Sequence, residues 1–548
     1  MNIPEDNLRN SCCPEPEQLT YIKMIFNFYK PKISQWQPEK TEFWQTTGAK
    51  IASRNLWSSI PCLSCAFAVW LYWSIITVQM KNFGFPFDND QLFTLNAVAG
   101  LTGATLRIPN SFSISISGGR NVIALSTALL IIPALGVGIA LQSLNTPYSV
   151  FVALAFLSGI GGGNFASSMS NISFFYPRKN QGAALGLNAG LGNIGVSIMQ
   201  ALLPLVITFP LFGFLSGRGI SSPVSAGDET AVSLVWLQNC GLVWIPILIV
   251  LVINAWINMD NLPTVSPNVG SKTKDTLTAM SKFLVLIFCA FVTSGIGLYM
   301  LFQLELDVLT VLTTIITLTV VIMGMMQKPL KISLAPQYKI FKRKHNWIMT
   351  CLYTMTFGSF IGFSATFPLL IKVIFGELPD GSVNPNAINP FTYAWLGSLI
   401  GSLIRPVGGW LSDRLGGANV THWTTITTIL ATLGLAYQLK KASVSQTPEI
   451  HFIPFLILFL ILFIATGIGN GSTYRMIPFI FEPKEAGPVL GWTSAIAAYG
   501  AFIVPQVLGS QIEAGHPEYA LYGFALYYLI CLMINWWFYA RKNAEVRC

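Results

Sequence analysis

The sequence predicts an all-α polytopic membrane protein with two six-helix halves and an extra central two-helix hairpin, about fourteen spans in all. Composition, apolar runs and an internal repeat lead to this fold class. Of the 548 residues, 53% are hydrophobic and 10% are charged, whereas soluble domains carry about 25% charged residues. Many apolar runs are long enough to cross a hydrocarbon core of roughly 30 Å. A helical membrane protein, embedded in a lipid bilayer, is the class that fits.

Apolar runs define both the spans and the expected domain organisation. The fourteen spans are 55–80, 92–117, 121–143, 149–176, 182–212, 233–257, 283–302, 308–327, 347–371, 391–415, 423–439, 452–481, 488–512 and 519–540. The expected divisions are an N-terminal segment (1–53), a six-helix half (54–257), linkers that include the hairpin 283–327 (258–345), a second six-helix half (346–540) and a tail (541–548). The first 50 residues are polar and mixed in charge, with no signal peptide.

Basic segments between the spans predict the orientation. Residues 328–345 contain six Lys or Arg and no acid, and 177–180 and the C-terminal segment are also basic. The positive-inside rule places these segments, and both termini, in the cytoplasm. Lys440 and Lys441 fall on the other side and are a mild exception. We expect the protein to lie in a bacterial inner membrane and to be a monomer.

Several other classes of protein are disfavoured by the same composition. The net charge is +9, but no basic run is interleaved with aromatics, so nucleic acid is not an expected partner. Cys62 and Cys65 form a CxxC inside an apolar run without a second pair, which favours small packing residues over a metal site. No metal, cofactor or enzymatic activity is expected.

Three matched motifs indicate an internal repeat. Arg107 and Arg405 each lie eleven residues before a Gly-Gly pair. "GIGGGNFASS" (159–168) matches "GIGNGSTYRM" (467–476), and "LGLNAGLGNIG" (185–195) matches "LGWTSAIAAYG" (490–500). The same elements recur in the same order, so spans 1–6 and 9–14 are two copies of one unit. This arrangement resembles the two-halved architecture of major facilitator transporters.

Arg107 poses the central question, since it lies deep within an apolar span. At 1.5 Å per residue it is roughly 24 Å from one end and roughly 20 Å from the other, too far for its side chain to reach water. A charge at that depth is costly without a partner. The spans hold no Asp or Glu at the depth of Arg107 or Arg405.

Two interpretations of the arginines remain. One is structural, a helix-packing Arg bonded to backbone carbonyls. The other, favoured because two arginines occupy equivalent places in two repeats, is a midplane site for a small anion. A forked guanidinium suits a planar oxyanion. The buried amides of Asn164, Asn188 and Asn193 are candidate donors to the same ligand.

The segment "GGWLSDRLGG" (408–417) carries Asp413 and Arg414 at a cytoplasmic helix end. It resembles the loop motif of major facilitators, in which such charges latch one conformation. Asp413 and Arg414 are therefore candidate gating residues. The first-half counterpart, "SISISGGR", lacks the acid, so any latch there is degenerate.

Two longer motifs resemble one family. "NFASSMSNISFFYP" with "QGAALGLNAGLGNIG", and "GIGNGSTYRMIPFIF", are similar to the two signatures of the nitrate/nitrite porter (NarK-type) family of major facilitators. "TEFWQTTGAKIASRNLW" and "TFGSFIGFSATFPLL" are also typical of it. The resemblance runs from about residue 36 to 540, apart from the hairpin and its flanks. Nitrate and nitrite are the cargo it implies.

The resemblance also implies a set of substrate-binding residues. We expect two arginines, a tyrosine, aromatic walls, amides and signature glycines. The matching positions are Arg107, Arg405, Tyr353, Asn193, Phe165, Phe67, Phe357, Asn188, Gly163 and Gly471. Two positions depart from the family. Ala189 stands where glycine is usual, and Arg475 replaces a neutral residue, which either alters selectivity or faces the cytoplasmic vestibule.

Three functions follow as alternatives. Nitrate/nitrite exchange comes first, because two guanidiniums in low dielectric repel each other until an anion binds, and no buried acid or His is available to carry a proton. Proton-coupled nitrate or nitrite symport is second, since family members do both. An anion sensor or membrane enzyme is third and is disfavoured, because the sequence shows no effector domain, metal cluster, nucleophile triad or phosphate loop.

Overall fold

The structure is a computed structural model that describes residues 33, 36–213, 217, 219–221, 234–267, 269–270, 272–332 and 334–548. Most of the N-terminal segment expected at 1–53 lies outside the described residues. Nearly everything else is helix, as the apolar runs predict.

Fourteen long helical segments follow one another in the described part of the chain. They are α1 (Thr41–Asn82), α2 (Asn89–Ser117), α3 (Gly119–Ala140), α4 (Tyr148–Phe175), α5 (Arg178–Val206), α6 (Asn239–Asn258), α7 (Thr273–Phe302), α8 (Val308–Leu330), α9 (Lys344–Gly376), α10 (Pro390–Leu415), α11 (Gly417–Ser443), α12 (Phe452–Ile480), α13 (Glu485–Glu513) and α14 (Pro517–Ala540). Two short strands, β1 (Ile220–Ser221) and β2 (Leu234–Val235), pair antiparallel between α5 and α6.

Eleven of these segments are apolar enough by composition to cross a membrane. The other three, α2, α10 and α11, have 29, 26 and 27 residues, so their length is sufficient and only their polarity differs. Two of the three carry the buried arginines. Polar side chains on these helices, such as Arg107, Ser402 and Thr425, are buried in the protein, and a hydropathy criterion underrates such helices.

Corresponding helices pack alike in the two halves, defined here as α1–α6 and α9–α14. The α2–α4 and α1–α5 pairs recur as α10–α12 and α9–α13, and across the interface α5 packs on α10 as α2 packs on α13. Matching turns end the arginine helices: Gly118 follows α2 with a φ of 83° and Gly416 follows α10 with a φ of 85°. Only glycine adopts such a φ at little cost. The predicted fold class is confirmed.

The extra hairpin of α7 and α8 packs on α2. Ser117 at the end of α2 donates to the Ala279 carbonyl at 2.7 Å. Thr293 and Thr319 join the two hairpin helices at 2.8 Å. Large apolar side chains such as Phe288 cover its outer surface, as expected of a helix pair that contacts lipid. The hairpin is therefore an accessory to the first half and does not interrupt the repeat.

The two halves are joined on one side of the arginines. We call the face near residues 328–345 the basic face and the other the opposite face. Within the described residues, every side-chain hydrogen bond or ion pair that joins the halves lies at the depth of the arginines or toward the opposite face. The pairs beyond the arginines are Thr105–Tyr499, Ser197–Ser398, Gln200–Ser364, Gln200–Ser398 and Lys81–Glu377. The bundle is thus closed toward the opposite face.

Removing the outermost of these links is expected to loosen that closure. Lys81 Nζ lies 2.6 Å from Glu377, and both side chains are partly buried. Lys81→Ala should weaken the joint by roughly 0.5–1 kcal/mol and raise amide hydrogen exchange at the start of α2 and the end of α13. The charge-swapped pair Lys81→Glu/Glu377→Lys should restore protection. Lys440→Ala, an exposed lysine on the same face, is the control. Equal exchange in Lys81→Ala and the unmodified protein would contradict the assignment.

Candidate anion site

Arg107 is completely buried, with a relative exposure of 0%. Its Nε donates to the Gly162 carbonyl of α4 at 2.8 Å, and its Nη1 donates to the Ser494 carbonyl of α13 at 3.0 Å. These acceptors belong to different halves. Nη2 has no hydrogen-bond partner among the described residues. Backbone carbonyls therefore account for Nε and Nη1 of Arg107, as the structural interpretation expects. Nη2 is left available to a ligand.

Arg405 has a similar position in the second half. Its relative exposure is 4%, and its Nη2 donates to the Tyr353 hydroxyl at 2.9 Å. Its Nη1 is buried without a partner in the described structure. An unmatched charged donor in a protein interior is expensive, so the unpartnered nitrogen on each arginine is a candidate donor to a ligand that accepts hydrogen bonds.

Phe357 connects the two arginines. Its ring centroid lies 5.0 Å from Cζ of Arg107 and 5.9 Å from Cζ of Arg405. A π-helical turn, Thr354–Gly358, contains Phe357 and directly follows Tyr353, and the two rings stack with centroids 5.6 Å apart. Such turns often occur at functional sites. This turn sets the hydroxyl of Tyr353 and the ring of Phe357 in one place.

The expected aromatic wall is present around Arg107. Phe165 and Phe67 lie 4.7 Å and 5.8 Å from its Cζ. Phe165 also stacks on Phe357, with centroids 5.7 Å apart. A flat anion between two rings needs about 7 Å, two contacts of roughly 3.5 Å each. The pair must therefore separate before a planar ligand can lie between them.

The asparagines have different surroundings. Asn193 on α5 is 0% exposed, and neither its Nδ2 nor its Oδ1 has a partner among the described side chains and backbone. Gly190, one turn earlier, faces the Ser402 carbonyl of α10, and Ser197, one turn later, bonds Ser398 of α10, so Asn193 lies on the helix face toward the Arg405 helix. Asn188 instead donates to Ser168 at 2.8 Å. Among the described residues, it makes no hydrogen bond to either arginine.

Gly163 and Gly471 lie where the arginine helices meet their neighbours. A Cβ on Gly163 would come 2.6 Å from Nδ2 of Asn110 on α2. A Cβ on Gly471 would collide with the Arg405 carbonyl and with Gly409 of α10. Both glycines therefore allow a signature helix to pack closely on an arginine helix. Their packing affects the site through the position of that arginine helix.

Asp413 pairs with Arg475, Oδ1 to Nε, at 2.5 Å. Arg475 also lies 4.3 Å from the Phe479 ring, so its side chain is directed to the basic face, away from the anion site. Arg414, the other expected gating residue, stacks over Trp410 at 4.2 Å. The Asp413–Arg475 contact joins α10 to α12 within one half, which is where a latch that fixes the Arg405 helix would act.

Sequence reasoning missed two rings and two backbone carbonyls that contact the arginines. Trp70 lies 5.2 Å from Cζ of Arg107, and its spacing of three from Phe67 on one helix face was an available signal. Tyr474 lies 5.6 Å from Cζ of Arg405 and stands next to the noted Arg475. The backbone acceptors, the Gly162 and Ser494 carbonyls, carry no side-chain signal.

Comparison with known proteins supports the two-halved fold and the motifs. The profile of the Major Facilitator Superfamily matches residues 62–439 and 347–547. A protein described as the probable nitrate/nitrite antiporter NarK2 of Thermus thermophilus is 36% identical over 518 residues, which are 94% of this chain and 98% of that protein. The chain belongs to the NarK-type branch of the Major Facilitator Superfamily. A second NarK-type relative, the nitrate/nitrite transporter NarU of Escherichia coli (strain K12), is 36% identical over 93% of this chain and 96% of NarU.

Solved structures agree on the fold. The xylose transporter XylE from E. coli, in a partially occluded inward-open conformation, matches with a TM-score of 0.55 at 12% identity, over 89% of this chain and 98% of that one. A bacterial homologue of the lysosomal transporter Spinster matches with a TM-score of 0.54 at 11% identity, over 88% and 95%. At this identity the likeness shows the fold alone. The chain is a multi-pass membrane protein of a transporter family.

Proposed function

We propose that this protein exchanges nitrate for nitrite across a bacterial inner membrane, by alternating access to a site between Arg107 and Arg405. One observation carries the proposal: each buried arginine keeps one terminal nitrogen, Nη2 of Arg107 and Nη1 of Arg405, without a hydrogen-bond partner in the described structure. Both lie near the Phe357 ring. The names of the NarK-type relatives, which specify nitrate and nitrite, supply the identity of the anion.

Each half of the protein supplies its own hydrogen-bond donors to the bound anion. Nη2 of Arg107 and Nη1 of Arg405 donate to anion oxygens, with charge-assisted bonds that are stronger than neutral ones. Tyr353 accepts from Arg405 Nη2, so its own proton can be donated to the same anion oxygen that Arg405 binds. Asn193 offers an amide on the α5 face that points to α10. Phe67, Phe165 and Phe357 exclude water.

Charge provides the coupling. Two guanidiniums brought together in low dielectric repel one another, and a monovalent anion offsets part of that repulsion. The halves therefore close over a loaded site more readily than over an empty one. A transporter that crosses between conformations only when loaded is an exchanger. The basic face is proposed to be cytoplasmic by the positive-inside rule, with both termini on that side and the conformation seen here closed to the outside.

Counterflow in proteoliposomes tests this proposal. Vesicles without a pH gradient are loaded with nitrite or with gluconate, and labelled nitrate is added outside. We expect nitrate entry into the nitrite-loaded vesicles only. Entry into gluconate-loaded vesicles that requires an imposed acid-outside gradient would instead establish proton symport, the second candidate. Vesicles without protein provide the background, and no protein-dependent uptake in either set would refute nitrate transport.

A further inference from the structure

The rings around the two arginines differ in chemistry. Near Arg107 the rings are Phe67, Phe165, Phe357 and Trp70. The only polar group among them, the Trp70 Nε1–H, is used by the Ala99 carbonyl at 2.7 Å. No ring on this side therefore has a donor left for a ligand.

Near Arg405 the rings carry hydroxyl groups. Tyr353 accepts from the guanidinium, and the Tyr474 centroid lies 5.6 Å from Cζ of Arg405 and 5.5 Å from the Tyr353 ring. The two tyrosines and Phe357 thus surround one arginine. Within the described chain, Tyr353 and Tyr474 are the two hydroxyl-bearing rings against it.

The Tyr474 hydroxyl makes none of the side-chain hydrogen bonds formed by the described residues, although the ring is packed against the core of the bundle. Tyr474 is only half-buried, so an acceptor from outside the protein can reach its hydroxyl. Arg405 cannot be its acceptor, because a guanidinium only donates. A hydroxyl in this position, beside a cation, can donate to an anion that the cation binds.

Nitrate and nitrite differ in what they can accept. Nitrate presents three oxygens in one plane, and nitrite presents two. The free N–H groups of Arg107 and Arg405 approach from opposite halves and account for two oxygens. We propose that the Tyr474 hydroxyl donates to the third nitrate oxygen, and that it sets the preference of the site for nitrate over nitrite. This inference rests on the proposed function.

The energetic argument is the one by which binding sites reject analogues that lack a hydrogen-bonding group. Nitrite has no third oxygen, so this hydrogen bond is not made when nitrite is bound. With nitrate bound, the bond is made to a charged ligand. Removing the hydroxyl should therefore weaken nitrate binding and leave nitrite binding nearly unchanged, which narrows the ratio of the two affinities.

Tyr474→Phe in the full-length protein is the test, since it deletes one oxygen and keeps the ring over Arg405. Half-saturation constants are measured in proteoliposomes for nitrate and for nitrite, and thermal stabilisation by each anion gives a binding readout without flux. We expect roughly tenfold weaker nitrate affinity and nitrite affinity within about twofold. Tyr437→Phe, an exposed tyrosine on α11, is the matched control.

The possible failures are separable. Equal weakening of both anions would overturn the inference, because it would mean that the Tyr474 ring only supports Arg405. An unchanged nitrate-to-nitrite ratio would overturn it as well. If the unmodified protein transports and binds neither anion, the proposed function itself fails and the inference fails with it, a result visible before any variant is made.

Discussion

Arg405→Lys is expected to reduce nitrate transport by roughly a hundredfold, even though the charge is kept. Arg405 uses two nitrogens of one fork for different purposes: Nη2 donates to Tyr353 at 2.9 Å and Nη1 is left for the ligand. Lysine offers a single nitrogen on a shorter stem and cannot occupy both positions. Each lost charged hydrogen bond is worth about 1.5–3 kcal/mol. Initial rates of counterflow measure the effect.

The control for this substitution is Arg541→Lys. Arg541 stacks over Trp537 at 4.0 Å on the last turn of the bundle, far along the chain from the site, and should tolerate lysine with unchanged transport. Arg405→Ala should be inactive. Near-normal rates in Arg405→Lys would refute the use of two guanidinium nitrogens, one for Tyr353 and one for the ligand. Arg405 would then act only as a point charge.

Gly471→Ala is the second large effect, although glycine has no side chain that could bind the ligand. The added Cβ would lie less than 3.0 Å from backbone atoms of Arg405 and Gly409, and backbone cannot rotate away as a side chain can. α12 and α10 must separate, which displaces Arg405 itself. Overpacking of this kind costs about 1–3 kcal/mol. We expect a lower unfolding temperature together with at least tenfold slower transport.

A substitution at a neighbouring glycine, Gly409, separates the effect of close packing from the effect of helix propensity. Gly409 has nothing within 4 Å of its Cβ position, so Gly409→Ala should be neutral or slightly stabilising, because alanine favours a helix. If Gly471→Ala transported as fast as Gly409→Ala, the close approach of α10 and α12 would not be needed for the site.

The sequence was sufficient for the fold and for the two arginines. Apolar run length predicted the spans, and repeated motifs predicted two alike halves. Arg107 and Arg405 were recognisable because charge in the middle of an apolar span has so few explanations. The roles of Tyr353, Asn193, Phe67, Phe165 and Phe357 came from family resemblance, and as ligands of an anion they remain predictions.

Other features depend on packing that periodicity does not encode. The π-helical turn at Thr354–Gly358 changes which faces of α9 point inward. No residue type within this turn predicts that change. Arg475 left two interpretations open, selectivity or a position at the vestibule. Its contact with Asp413 depends on how α10 and α12 lie side by side, and this contact supports the second.

Arg107 also has a thermodynamic consequence, because its Nη1 reaches a carbonyl of the other half, that of Ser494. When α2 and α13 move apart, the hydrogen bond between Arg107 Nη1 and the Ser494 carbonyl is broken, and both groups are left without this partner. Any ligand that competes with Ser494 for Arg107 therefore biases the conformational equilibrium, by no more than its difference in affinity for the two states. The bias is reciprocal: whatever holds α2 against α13 also lowers the affinity of Arg107 for that ligand.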